Sequence, residues 1–409
     1  MLSIRDPVHG FVRADALERA LIDTRPLQRL RSIRQLGMMF FVFPGAEHSR
    51  FSHVLGAMEL AGRLYDALAA KSSGLLDPDR RARERRLVRA AGLLHDIGHA
   101  PFSHSAEEQF AGGIDHEEMT RRLLELPEVQ GAFARHGDGL RPADVARLLE
   151  GGEGPVERLL SQVVSGELDV DKMDYLLRDS LFCGVRYGSY DLPRLLDTVV
   201  PIEDPDRGEW GIGVEEGGVH ALEALVMARY YMFTQVYFNV TGKALELHLS
   251  AWLAEEGTPW PADPEAFLAE DDVAVLARMR TSSSPHAHAV LHRARYPLAY
   301  ETREHLTREQ RERFAALVPE LVARFGRRNL LVSNAAKDPH RMGQSRVFVQ
   351  RYDGSLEPVE QASQFMRHLT RIESFRVYAA PQCCAEVKAA IAEMWSDADA
   401  GETAAAASR

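Results

Sequence analysis

Leu93-Leu94-His95-Asp96-Ile97-Gly98-His99-Ala100-Pro101-Phe102-Ser103-His104 places three histidines and an aspartate close behind an apolar run. Leu87, Val88, Ala90, Ala91, Leu93 and Leu94 are too apolar all round to face water, so the helix that they form is a buried one. An adjacent imidazole and carboxylate at its end need pairing or a metal ion, because leaving them buried and unpartnered costs several kcal/mol. Gly98 and Pro101 then stop the helix and turn the chain, which returns His99 and His104 beside it. A helix end with scattered surface histidines accounts for one His-Asp pair, but poorly for the whole cluster.

The surrounding chain has room for one large domain and a smaller one, with 409 residues, 45% of them hydrophobic and 27% charged. A formal net charge of −11 argues against a dedicated nucleic-acid or membrane-surface binder, which carries a basic excess. An anionic small molecule stays compatible with it, since a pocket can be locally positive. Cys183, Cys383 and Cys384 form no disulfide framework. With no signal-peptide pattern and no run of about 18 apolar residues, a soluble cytoplasmic protein is expected, with no membrane partner.

Outward from the His-rich stretch the pattern is mainly helical. Residues 3–12 read as a hairpin, 16–36 as helix restarted at Pro26, and 49–70 as a helix with Phe51, Leu55, Met58, Tyr65 and Leu68 at helical spacing. Asp115-His116-Glu117-Glu118 opens a further helix, and others are expected at 156–164, at 168–179 and as one long aromatic helix from about His220 to Trp252. Trp210 to Val214 reads as a strand. Strands expected at 330–333, 346–351 and 375–379 alternate with helical patterns, which indicates a small C-terminal α+β lobe. The division expected is a core at 1–200, a helical extension completing the pocket at 201–330, the α+β lobe at 331–397, and an Ala-rich disordered tail at 398–409.

His53 follows Arg50 by three positions on a largely apolar helix, so the two point the same way. At about 100° per residue, Asp171, Lys172, Tyr175 and Asp179 share one face of their helix. That face presents two carboxylates, an ammonium and a phenol, and periodicity alone leaves open whether it is a solvated charged face or a site.

The order His53…His95-Asp96…Asp171 resembles the H…HD…D signature of the HD-domain phosphohydrolases. The stretches Gln28–Gly37, Val42–Gly45, His48–His53, His95–His104 and Asp169–Tyr175 are similar to the dNTP triphosphohydrolase branch of that superfamily. The likeness covers roughly residues 3 to 250 and includes no sterile-alpha-motif domain. It implies a helical HD-domain core in which His53, His95, Asp96 and Asp171 hold a divalent metal, Mn, Fe, Ni or Zn, with Mg as a companion of the substrate phosphates. It further implies His104 as general acid, Glu107 as its orienting partner, and His99 and His116 along the phosphate path. Arg50, Lys172 and Tyr175 would hold phosphates, and Gln35, Leu36 and Asp179 would meet the sugar. The reaction implied converts a dNTP and water to deoxynucleoside and triphosphate. Asp23, Gln28, Arg31, Val42 and Phe43 match an activating GTP/dGTP pocket at a subunit interface, which implies a homo-oligomer, dimer or tetramer. Alternatively, Asp23 caps the helix at Pro26.

One departure concerns the helix after residue 220, where the branch carries an arginine for the terminal phosphate and then a tyrosine-glutamine pair. Ungapped placement puts Gln235, Lys243 and Ala244 there, with Tyr237 or Lys243 as substitutes. Competing readings are a nucleotidase or phosphodiesterase acting on other nucleotides, and a nucleotide-sensing scaffold. The Lys172-Tyr175 pair disfavours the former and the intact His53, His95, Asp96 and Asp171 set the latter.

Overall fold

The computed structural model describes residues 1–72, 74–103, 109–337 and 346–394; His104, Glu107 and the tail at 398–409 lie outside them. The helix Arg50–Lys71 runs through the middle of the core, with His53, Val54, Met58, Leu60, Leu64 and Leu68 all shielded from solvent. Burial of each such aliphatic side chain contributes roughly 1.5–3 kcal/mol. The helices Arg81–Leu94 and Val170–Cys183 pack against it.

Two glycines allow this close packing. A Cβ at Gly92 would lie 3.1 Å from the Ala57 carbonyl oxygen, and one at Gly56 only 1.9 Å from Asp174 Oδ1. The hairpin pairs Leu2–Asp6 with Gly10–Ala14, and the Asp6 carboxylate holds its turn by accepting from Val8 N and His9 N.

The aromatic stretch after residue 219 corrects the single helix expected there. Val219–Met232 passes into a π-helical turn, Phe233–Tyr237, and a new helix, Val240–Glu256, begins after it. Asn239 caps the second helix, its Oδ1 accepting from Thr241 N at 3.0 Å and Gly242 N at 3.1 Å. Apolar residues keep a helical spacing through the break, so the hydrophobic pattern hides it.

Strands cross the boundary placed at residue 331. Val199–Glu203, Trp210–Glu215, Phe348–Gln350 and Leu356–Pro358 form one four-stranded sheet, with Val214 opposite Val349 in a parallel pair. A three-stranded sheet has Ile372–Ala379 at its centre, antiparallel to Leu298–Glu301 and Leu330–Lys337. Phe375, Val377 and Ala379 pack there with Phe314, Leu321, Val387 and Ile391 in a hydrophobic cluster separate from the main core. The α+β lobe thus draws its first strand from before residue 331, and the 348–358 strands belong to the other sheet.

Candidate metal centre and its cleft

Three elements meet at the centre of the core. His53 comes from the first turn of Arg50–Lys71, His95 ends Arg81–Leu94, and Asp171 lies in the first turn of Val170–Cys183. One ligating atom from each of these residues lies within 4.8 Å of the other two. His53 Nε2 is 3.0 Å from Asp171 Oδ1, and His95 Nε2 is 3.7 Å from the same oxygen.

The other ring nitrogens have partners of their own. His53 Nδ1 lies 2.8 Å from Asp174 Oδ2, and His95 Nδ1 lies 2.9 Å from the Gly92 carbonyl oxygen. If both Nδ1 atoms donate and a metal displaces the Nε2 protons, the two Nε2 atoms would offer it their lone pairs beside Asp171; both are buried without a hydrogen bond. Two imidazoles so oriented, one of them backed by a carboxylate, fit a divalent transition metal.

Asp96 borders this trio without joining its tight cluster. Its carboxylate is paired with the Arg50 guanidinium, with Oδ1 3.3 Å from His95 Nε2 and 3.2 Å from His99 Nε2, and Oδ2 3.8 Å from His53 Nε2. Burial works against its charge, but Arg50 and the neighbouring histidines outweigh that and hold its carboxyl well below the usual range. Burial likewise pulls His53 down, and Asp171 and Asp174 override it, raising the imidazole to about 10.

A cleft of about 560 Å³ is lined by His95 and Asp171 of the trio, with His53 fully buried outside its lining. Its lining brings together Gln35, Leu36, Arg50, His95, Asp96, His99, His116, Asp171, Lys172, Tyr175 and Asp179 from the sequence-derived site. His99 and His116 stack with centroids 4.3 Å apart. Lys172 Nζ donates to the Gly166 carbonyl oxygen at 2.7 Å and pairs with the Asp169 carboxylate. Asp179 accepts from His48 Nε2 and from the Tyr237 hydroxyl, each at 2.8 Å.

The proposed activator residues are less cohesive. Arg31 Nε donates to Gln28 Oε1 at 2.8 Å, and its guanidinium lies over the Phe51 ring. Asp23 is exposed and borders a shallow depression with Met1, Leu2 and Arg19, while Val42 and Phe43 are half-buried. Asp23 does not cap the helix at Pro26: it ends the preceding helix, and Thr24 occupies the cap position.

The ungapped placement after residue 220 is corrected here too. Gln235 is exposed and Ala244 is buried outside the lining, whereas Arg229, Phe233, Tyr237, Phe238 and Lys243 line the cleft. An arginine thus stands at the cleft at Arg229, before Gln235 in the chain, and Tyr237 there is followed by Phe238. Arg229 is 4% exposed, with Glu167 3.9 Å away. A charged residue on an otherwise apolar stretch of helix was the signal for it.

Also missed was Asp174, fully buried and bonded to His9, His53 and Arg178. Its sign was an acid-base pair, Asp174 and Arg178, spaced i,i+4 beside Met173 and Leu177 on the buried flank.

The HD domain family matches residues 50–179, and the HD associated region matches residues 193–396. The uncharacterized Bacillus subtilis protein YwfO is 39% identical over 271 residues, covering 64% of this chain and 59% of that protein. A Dictyostelium discoideum protein named deoxynucleoside triphosphate triphosphohydrolase SAMHD1 homolog is 32% identical over 297 residues, covering 69% of this chain and 55% of that protein. The chain therefore spans little more than half the length of these relatives. A crystal structure of a hypothetical protein from Aquifex aeolicus superposes with a TM-score of 0.80 at 29% identity, covering 95% of this chain and 99% of the other. With an HD domain around His53, His95-Asp96 and Asp171 and the associated region behind it, the chain belongs to the HD-domain phosphohydrolase superfamily.

Proposed function

We propose that this chain is a metal-dependent deoxynucleoside triphosphate triphosphohydrolase that converts a dNTP and water to deoxynucleoside and triphosphate. The observation that carries the reading is the joint placement of the His53-His95-Asp171 cluster and the cations Arg50, Lys172 and Arg229 around one cleft. The printed name of the Dictyostelium relative supports it.

His53, His95 and Asp171 would hold the metal, with Asp96 as a fourth, adjacent carboxylate. A divalent cation there supplies an acidified water and a Lewis acid for phosphoryl oxygens. Arg50, Lys172 and Arg229 bind and orient the phosphate chain, the arginines by their forked donors. His99 and His116 flank its path. Asp179, Tyr237 and Gln35 meet the sugar, and Tyr175 edges the space between sugar and phosphates. Water oxygen bonds to the α-phosphorus and releases a proton to solvent, the bond from that phosphorus to the 5′ oxygen breaks, and His104 supplies the proton which the 5′ oxygen takes up.

Activation by GTP or dGTP through Asp23, Gln28, Arg31, Val42 and Phe43, and assembly into a dimer or tetramer, belong to the same proposal. Purified protein with added Mn²⁺ and each dNTP in turn, with and without GTP, tests both. The expected products are deoxynucleoside and intact triphosphate, abolished by Asp171→Ala and increased by GTP. Absence of turnover with metal bound would overturn the reading and direct the search to monophosphates and cyclic dinucleotides.

A further inference from the structure

The C-terminal lobe reaches the cleft through two side chains of its central strand. Side chains of Ile372–Ala379 alternate between the faces of its sheet. Phe375, Val377 and Ala379 enter the lobe's own hydrophobic cluster. Ser374, Arg376 and Tyr378 take the other face, where Arg376 stands opposite both Ser333 and Glu301. Arg376 and Tyr378 are 5% and 0% exposed.

Arg376 donates through one terminal nitrogen to the Phe238 carbonyl oxygen, and its Nε lies 2.7 Å from Glu301 Oε1. The Tyr378 hydroxyl donates to the Val240 carbonyl oxygen at 2.9 Å. These two carbonyls flank Asn239, at the break between the π-helical turn Phe233–Tyr237 and the helix Val240–Glu256. Phe233, Tyr237 and Phe238 are the wall of the cleft at that break. The lobe therefore touches the cleft wall from behind, through two hydrogen bonds to backbone carbonyls, with Glu301 of the lobe's own sheet holding the Arg376 guanidinium. The trio His53, His95 and Asp171 is held by other elements altogether.

We propose that Arg376 and Tyr378 are positioning residues that set the Phe233–Phe238 wall and thereby nucleoside binding. The arginine hydrogen bond supplies the tail of the π-helical turn, which lies outside both α-helical ladders, with a fixed partner. The tyrosine hydrogen bond anchors the start of the next helix. With both in place, Tyr237 keeps its hydroxyl on Asp179 and the ring of Phe238 stays at the cleft. The proposal rests on the nucleotide reading of the cleft for its effect on substrate, and on geometry alone for its effect on the wall.

The test compares the 409-residue chain with its Arg376→Met and Tyr378→Phe variants, the latter losing one oxygen and little volume. Three quantities are measured: bound Mn²⁺ with turnover of bis(p-nitrophenyl) phosphate, KM and kcat for each dNTP, and backbone hydrogen exchange at 233–243. Metal content and small-ester turnover stay at wild-type levels. For Arg376→Met, KM for dNTP rises about tenfold with kcat within about twofold, the pattern of lost uniform binding. Tyr378→Phe gives a smaller rise in KM, and exchange at 233–243 accelerates in both variants.

Unchanged KM and unchanged exchange would overturn the proposal. So would a parallel loss of both substrates with less bound metal, the mark of a merely structural role. If the wild type turns over the small ester but no dNTP, the reading of the function fails instead. The hold of the lobe on the wall is then decided by exchange, faster at 233–243 if the proposal is right and unaltered if it is wrong.

Discussion

Asp174 accepts four hydrogen bonds from three side chains: His9 Nε2, His53 Nδ1 and two nitrogens of Arg178. An amide in its place has one acceptor atom and cannot serve them all. Asp174→Asn is expected to weaken metal binding by about 10- to 100-fold, the usual effect of losing the partner that orients a ligating histidine. It leaves Arg178, fully buried, with Asp6 as its remaining charged partner among the described residues, a defect of about 3–5 kcal/mol when a buried pair is broken. Calorimetric titration with Mn²⁺ and urea unfolding measure the two effects, and an unaltered affinity would show that His53 is oriented by something else. Asp272 offers a pH signature away from the metal. Burial raises its carboxyl to about 6 against the hydrogen bonds that it accepts from Arg34 N and Phe102 N. A carboxyl that holds its proton more tightly when folded works against folding as pH rises. Its contribution therefore declines from about pH 4 to about pH 6, by about 3 kcal/mol, and is flat above that. In Asp272→Asn that part of the slope should disappear from unfolding curves taken across this range.

Helices Arg50–Lys71 and Val170–Cys183 approach closely because Gly56 has no side chain where Asp174 comes in. In an exposed helix, Gly→Ala stabilises by about 1 kcal/mol. Here the added methyl overlaps Asp174 Oδ1 and an Arg178 nitrogen, so Gly56→Ala is expected to cost about 1–3 kcal/mol and to lower metal affinity at the same time. Thermal unfolding with and without Mn²⁺ measures both, and a stabilised variant would refute the packing argument. Helices of this kind were legible in the sequence because apolar spacing marks each one locally. His53, His95 and Asp171 were legible because short motifs carry the likeness to the family. The His9–Asp174 bond was not, since it joins positions 165 residues apart, and the parallel pair Val214–Val349 was not for the same reason. The π-helical turn was hidden by an unbroken apolar pattern. The place of Arg229 at the cleft follows from seeing which side of that helix faces it.

At the scale of the whole molecule, a net charge of −11 surrounds a cleft edged by Arg50, Lys172 and Arg229. A metal bound at its floor would stabilise only the folded chain. At a hundredfold excess over Kd this adds about 2.7 kcal/mol, so chelation with EDTA is expected to lower Tm and Mn²⁺ to restore it. A Tm indifferent to both would count against a resident metal. Phe102 and Ser103 follow the His95-Asp96 pair at φ of 55° and 59°, a conformation that costs about 1–3 kcal/mol per non-glycine residue. Ser103 Oγ accepts from Arg50 Nε, and Phe102 N donates to Asp272, which belongs to the helix Asp272–Thr281. The corner is therefore held from a point far down the chain, within the region behind the HD domain. A fragment ending near residue 200 would contain every proposed metal ligand and still lose the anchor that keeps this corner bent. For protein engineering, the HD segment is thus no transplantable cassette: a minimal version has to carry the Asp272 helix with it.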